Sequence, residues 1–139
     1  MPVDMQEKIA KELATKYGYL PGETKQVLTF VKGMHNFSHY LGSNKYFSDT
    51  LNKRIALLSL DCDILSLRAE RVRLLSEGFY TQVELSLVTK KPASLDKKKV
   101  EGFKKDMAAV LEEAISINER ALRLMEDIKR EYTTSDSVG

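Results

Sequence analysis

The stretch LSLDCDILSL, residues 58–67, decides how the chain folds. Apolar and polar residues alternate in it, and this alternation is typical of a half-buried strand that would set Asp61 beside Asp63 on one face. On a helix the two carboxylates lie about 200° apart and cannot share a ligand. The flanking segments carry only a helical period, and no Gly or Pro occurs from Asn44 to Glu77. We therefore predict a helix, in which the alternation comes from two overlapping apolar rows.

These two rows run the length of the predicted helix. One row repeats at spacings of four and three: Leu51, Ile55, Leu58, Cys62, Leu65, Ala69 and Val72. The second row is Leu57, Leu60, Ile64, Leu67 and Leu74. A helix that is apolar on two sides is expected to lie between other helices rather than on a surface.

The rest of the chain predicts an all-α helical bundle. Two shorter helices are expected at 4–17 and 24–41, and two long helices at about 44–77 and 95–132. The last helix carries a heptad row: Val100, Phe103, Met107, Val110, Ala114, Ile117, Ala121, Leu124 and Ile128. Residues 1–132 are predicted to form one domain, and residues 133–139 a disordered tail.

The segment 79–89 permits two interpretations. Phe79, Thr81, Val83, Leu85 and Leu87 alternate with other residues, which is a strand pattern, but the chain offers no second strand to pair with. The alternatives are a short helix or irregular segment, or a strand that pairs with another copy or another protein.

Composition bounds the class of protein. The 139 residues are 42% hydrophobic and 30% charged, with one cysteine and a net charge of +2. No apolar run approaches the roughly 18 residues of a membrane span, and the charged N-terminus lacks a signal-peptide core. We expect an intracellular, soluble, cytoplasmic protein without a membrane partner. A single cysteine excludes an internal disulfide framework.

Residues capable of chemistry are few. His35 and His39 lie one turn apart and could both reach one ion, but Asn36 stands where zinc peptidases need a glutamate. No sequence feature nominates a third ligand, so we expect a structural role for both histidines, no metal and no cofactor. Nucleophile motifs and phosphate-binding loops are absent, so we predict no enzyme activity and no small-molecule substrate.

The long helices predict a function in assembly. Two short helices laid end to end cover only one side of each long helix, so the remaining apolar face is expected to bind another copy or a different subunit in an oligomeric complex. The predicted interface is the C-terminal heptad row, with residues Met107, Val110, Ile117, Leu124 and Ile128. A second part of the interface could form by strand pairing of Val83, Leu85 and Leu87 with the partner.

The alternative is a nucleic-acid-associated protein. Basic residues crowd two segments and could contact phosphates: Lys90, Lys91, Lys97, Lys98, Lys99, Lys104, Lys105, Arg68, Arg71 and Arg73. Such contacts give salt-sensitive affinity without sequence preference. The opposing interpretation is a solvated surface, neutralised by Asp96, Glu101 and Asp106.

Overall fold

The computed structural model describes residues 2–43, 47–92 and 94–138, with side chains described from 4 to 131 within those ranges. In these ranges the chain forms four α-helices and no strand, which confirms the predicted all-α bundle. The helices are α1 (Pro2–Glu12), α2 (Pro21–Gly42), α3 (Asp49–Thr89) and α4 (Lys97–Val138). A π-helical turn, Leu13–Tyr17, extends α1.

Helix α3 is longer than predicted and begins later. Its N-cap is Ser48, whose hydroxyl accepts a hydrogen bond from the Leu51 N–H at 3.3 Å. The expected start at residue 44 lies outside the described residues. At the other end the helix continues through Gly78 to Thr89 and ends where Lys90 adopts a left-handed conformation with φ 58°.

The extended segment predicted as one alternative for residues 79–89 is therefore wrong. Phe79, Val83 and Ser86 are buried at helical spacing and continue the row of Leu65, Ala69 and Val72. The strand-like alternation is the same overlap of two helical rows that residues 58–67 display. Gly78 costs about 1 kcal/mol relative to alanine inside a helix, and burial of its neighbours offsets that cost.

Helix α4 begins close to where the sequence predicts it. The Asp96 side chain accepts a hydrogen bond from the Lys98 N–H at 2.9 Å, so Asp96 is its cap. The backbone of α4 is helical as far as Val138, whereas the sequence predicts a disordered tail from residue 133. Gly139 lies outside the described residues, and the division into one domain and a tail stays a prediction.

Helices α3 and α4 pack antiparallel, and a ladder of three ion pairs marks their register. Arg54 pairs with Asp127 at 2.6 Å, Asp61 with Arg120 at 2.6 Å, and Arg68 with Glu113 at 2.5 Å. The partners recur every seven residues on both helices, and the sign of the charge alternates along each. A slip of one heptad would set like charges opposite each other, so the ladder disfavours other registers.

The core lies between α2, α3 and α4 and continues under α1. It contains the first apolar row of α3 and the heptad row of α4, together with Ile9 and Leu13 from the N-terminal segment. Helix α2 packs on both long helices, and its Thr24 hydroxyl donates to the Met107 sulfur at 3.0 Å.

An aromatic cluster ties the α1–α2 connection to the two long helices. The Tyr19 ring lies 4.8 Å from that of Phe103 and 6.4 Å from that of Phe79, both edge-on. Beside it, the Tyr17 hydroxyl accepts a hydrogen bond from the Leu95 N–H at 3.1 Å. The connection is stabilised where Gly18 turns the chain with φ 71°, a conformation that favours glycine.

The ladder predicts a charge-reversal rescue. Asp61→Arg would face Arg120, and Arg120→Asp would face Asp61, so each single change should lower the free energy of unfolding. The double variant restores an opposite pair, and we expect a coupling of about 0.5–1 kcal/mol because the pair is partly exposed. Urea unfolding of the four proteins measures it. A coupling of zero would mean that the Asp61–Arg120 pair contributes nothing to the stability of this register.

The buried Tyr19 hydroxyl generates a prediction about alkaline pH. Burial raises the pKa of Tyr19 from 10.0 to about 12 and outweighs the opposing effect of the nearby Ser76 hydroxyl. Among the described residues no group forms a hydrogen bond of good geometry with the buried Tyr19 hydroxyl. Between these two values the unfolded chain ionises first, so stability falls as pH rises. At pH 11 the loss is on the order of 1 kcal/mol relative to pH 8.

Tyr19→Phe should remove this loss and leave stability at neutral pH unchanged or higher by up to about 1 kcal/mol. Urea unfolding at pH 8 and pH 11 compares wild type, Tyr19→Phe and Tyr40→Phe, the last at a residue 75% exposed on α2. The Tyr40 variant should follow wild type. Equal alkaline losses in wild type and Tyr19→Phe would contradict the assignment.

Candidate functional site

Helix α3 presents an apolar row to solvent on the face opposite its core. We call this row the outer seam; its ten positions follow strict heptad spacing: Leu57, Leu60, Ile64, Leu67, Arg71, Leu74, Gly78, Thr81, Leu85 and Val88. The seven apolar members are 48–74% exposed. Each seam residue lies two positions after a core position, about 200° around the helix.

The surroundings of α3 place this seam outside the bundle. On one side Arg54, Asp61 and Arg68 form the ladder with α4, and on the other Asp63 contacts α2. The seam lies between these two flanks, at the back of the helix. The expectation that other helices enclose both apolar rows of α3 is therefore wrong within one chain.

Charged residues border the seam asymmetrically. One border is acidic, with Asp63, Glu70, Glu77 and Glu84 at seven-residue intervals. The other border is the ladder side, where Arg54, Asp61 and Arg68 are followed by Leu75 and Gln82. In coiled coils such flanking positions determine partner and orientation.

The residues of the partner interface predicted on α4 pack within the chain itself. Four of its residues, Val110, Ile117, Leu124 and Ile128, are buried in the chain's own core, and Met107 is partly buried against it. This row packs on α2 and α3. An interface formed by this row stays a prediction.

The three residues predicted to pair with a partner as a strand lie on different faces of α3. Val83 is fully buried, Leu85 is 61% exposed on the outer seam, and Leu87 is partly buried. Since the segment is helical, strand pairing is not available to it. Of the predicted interface residues, Leu85 alone belongs to the outer seam.

The structure separates the predicted phosphate-binding residues. Lys90, Lys91 and Lys97–Lys99 are exposed around the α3–α4 connection, whereas Arg71 lies roughly 28 Å back along α3 from Lys90. Arg68 pairs with Glu113, Arg73 with Glu70 and Glu77, and Lys104 with Glu101. Lys105 is exposed on α4. The lysines of the α3–α4 connection thus lie far from Arg71, whereas Arg68 and Arg71 line a cavity with Asp106 on α4. Nucleic-acid binding stays a prediction.

A cluster of three side chains joins α2 to α3. The His35 Nε2 lies 2.7 Å from an Asp63 carboxylate oxygen, and the His39 Nε2 lies 3.2 Å from the same oxygen. The two Nε2 atoms are themselves 3.2 Å apart. These three atoms, two nitrogens and one oxygen, converge on one point and could hold a metal ion.

Electrostatics at this cluster favour the ionised carboxylate. Contacts with His35 and then His39 hold the pKa of Asp63 below its usual range, and partial burial opposes this weakly. Asp61, two residues earlier, faces α4 and pairs with Arg120. The prediction that the two acids point in different directions is confirmed.

Cys62 lies between these acids in the core. It is 2% exposed, and burial raises the pKa of its thiol. It forms part of the floor of an apolar groove of about 380 Å³ between α2 and α4, walled by Phe30, Phe37 and Leu122. A thiol in this environment is a packing residue rather than a nucleophile.

Sequence reasoning missed Asp63 as a neighbour of the histidines and missed the exposure of the outer seam. Asp63 is 28 residues from His35, and only the antiparallel register of α2 on α3 brings them together. The heptad spacing of the seam was visible, but spacing alone does not tell a face covered by the chain's own helices from one that is free.

Comparison with known proteins adds no assignment: no family model, curated protein or solved structure matches the chain. Within the described residues, none of the helices combines the length and apolar character that crossing a membrane requires. The outer seam and the His35–His39–Asp63 cluster are the features that carry functional argument.

Proposed function

We propose that this protein is a non-catalytic assembly protein that pairs with a second copy of itself through the outer seam of α3. The observation that carries this proposal is the exposure of seven large apolar side chains in heptad register on one helix face. Isolated exposed leucines are common on protein surfaces, but a contiguous row in register marks an interaction surface.

The spacing specifies a helix as the partner. Residues that recur at alternating intervals of three and four positions pack as knobs into holes, each formed by four side chains of a facing helix. From Leu57 to Val88 the seam is about 46 Å long. Its seven apolar side chains, at roughly 100 Å² each, amount to about 700 Å² per protomer, close to the about 800 Å² per partner of a standard interface.

Charge complementarity favours a second copy in parallel orientation. A parallel pair sets each acidic border against the partner's ladder border, so that Asp63 of each copy faces the partner's Arg68. An antiparallel pair would instead set the two acidic borders against each other, with Asp63 near the partner's Glu70. Like charges in that position are unfavourable.

Arg71 is the one charged residue of the seam, and it supports the same arrangement. In a parallel pair it lies beside the partner's Glu70, which compensates its charge. A polar residue at one core position of a coiled coil lowers stability and specifies register. We therefore expect the two copies to pair without a longitudinal shift.

Leu60→Glu should convert the dimer to a monomer. A twofold interface contains the substitution twice, and each copy loses the burial of a leucine worth about 1.5–3 kcal/mol, so we expect dissociation to increase by at least about 100-fold. Sedimentation equilibrium at micromolar concentrations measures it. Since Leu60 is exposed in the monomer, helical content should stay unchanged.

Leu122→Glu is the matched control, because Leu122 is also 58% exposed but lies on α4, away from the seam. It should remain a dimer. A wild-type monomer at tens of micromolar would contradict the proposal, and so would a dimer that Leu60→Glu leaves intact. Open-ended assemblies, in which the seam enters the α2–α4 groove of another copy, would contradict the twofold arrangement.

Disulfide cross-linking distinguishes the two orientations. In a parallel pair a cysteine at position 60 faces its own equivalent, so Leu60→Cys should form a disulfide-linked dimer under mild oxidation. An antiparallel pair can align the seam positions 57–74 of the two copies in opposite directions, so that residue 60 of one copy faces residue 71 of the other. The two residues 60 are then about 16 Å apart along the helix, which is too far for a disulfide. Cross-linking only in Leu60→Cys mixed with Arg71→Cys would contradict the parallel arrangement.

A further inference from the structure

The second feature, the His35–His39–Asp63 cluster, lies on the flank of α3 toward α2. All three side chains are partly exposed, at 31% for His35, 56% for His39 and 43% for Asp63. The cluster takes no part in the hydrophobic core. Whether its three converging atoms can hydrogen-bond to one another depends on which of them carry protons.

With the Asp63 carboxylate ionised, the three contacts cannot all be hydrogen bonds. If both Nε2 atoms carry protons, the 3.2 Å contact between them joins two donors. If one Nε2 lacks its proton, its contact with the ionised Asp63 oxygen joins two acceptors. With an ionised carboxylate, each distribution of protons over the two histidines leaves at least one close contact between like groups.

A cation at the point of convergence removes this conflict, because all three atoms then direct a lone pair at it. Ligand atoms bound about 2.1 Å from one ion lie roughly 3.0–3.4 Å apart in octahedral or tetrahedral geometry. The observed separations of 2.7, 3.2 and 3.2 Å approach this range without rearrangement of the helices.

The donor set selects the class of ion. Calcium and magnesium prefer oxygen ligands, whereas imidazole nitrogen suits zinc, iron, nickel and copper. Two imidazoles and one carboxylate on one side of the ion leave its other positions to solvent, since all three ligands are partly exposed.

We propose that His35, His39 and Asp63 form a binding site for one divalent transition-metal ion that bridges α2 and α3. Two ligands come from one face of α2 at i and i+4, and the third comes from α3. His39 stands in the last turn of α2, so the ion links that end of α2 to the middle of α3. Asp63 also borders the outer seam, but all three ligands come from one chain, so binding of the ion does not require a second copy.

Zinc binding by protein without an affinity tag tests the proposal. After treatment with EDTA, the protein is dialysed against buffer containing ZnCl₂, and zinc is counted by inductively coupled plasma mass spectrometry. Titration calorimetry gives the affinity. We expect one zinc ion per wild-type chain.

His39→Gln and Asp63→Asn each remove one ligand. Loss of an outer-shell partner alone weakens metal binding 10- to 100-fold, so loss of a ligand should weaken it by more than about 100-fold. Asp61→Asn is the matched control, since it removes a carboxylate two residues away that faces α4. It should retain the zinc ion and the wild-type affinity.

A second readout separates metal binding from misfolding. Zinc should raise the melting temperature of wild type and of Asp61→Asn, but not of His39→Gln, while all three show the same helical circular dichroism. Wild type without bound zinc would overturn the proposal. Zinc bound equally by wild type, His39→Gln and Asp63→Asn would also overturn it, because the ion would then lie elsewhere.

Discussion

Residues two positions apart on an α-helix point in nearly opposite directions, and the arrangement of this protein depends on that constraint. In α3, apolar residues occupy both series of positions, so the helix has two apolar faces. One face packs against α2 and α4 and forms the core. The opposite face lies outside the bundle that the described residues form. The fold and the proposed assembly thus both depend on the two apolar rows of α3.

The register between helices determines the roles of individual polar residues. Asp61 and Asp63 are neighbours in sequence, yet one pairs with Arg120 on α4 and the other contacts His35 and His39 on α2. The ladder between α3 and α4 is partly exposed, and its value lies in excluding other registers more than in raw stability. The antiparallel pairing of α2 with α3 brings a carboxylate to a histidine pair that has no third ligand in its own segment.

Much of the fold could be predicted from helical periodicity, because that signal is local. The helical state of residues 58–67 and the burial of Leu58, Cys62 and Leu65 are examples. Residues 79–89 were ambiguous since Gly78 interrupts the pattern and the window is short. Residues 58–67 have long segments of helical periodicity on both sides, and these identify the stretch as a helix. Residues 79–89 have such a segment only on their N-terminal side.

Non-local relations could not be predicted in the same way. Asp63 lies 28 residues after His35, and their contact depends on how far along α3 the α2 helix packs. Asp63 therefore could not be assigned to His35. The heptad row of α4 and the outer seam of α3 have the same spacing, and spacing does not specify which one the chain itself covers. That choice depends on how three helices pack together.

Hydroxyl-radical footprinting at two protein concentrations tests most directly whether the outer face of α3 is covered in solution. Mass spectrometry would compare the oxidation of seam residues such as Leu67 with that of Leu122 on α4, both exposed in the single chain. At high concentration we predict strong protection of Leu67, with the reactivity of Leu122 unchanged. Equal reactivity of both residues at each concentration would contradict this account of the seam.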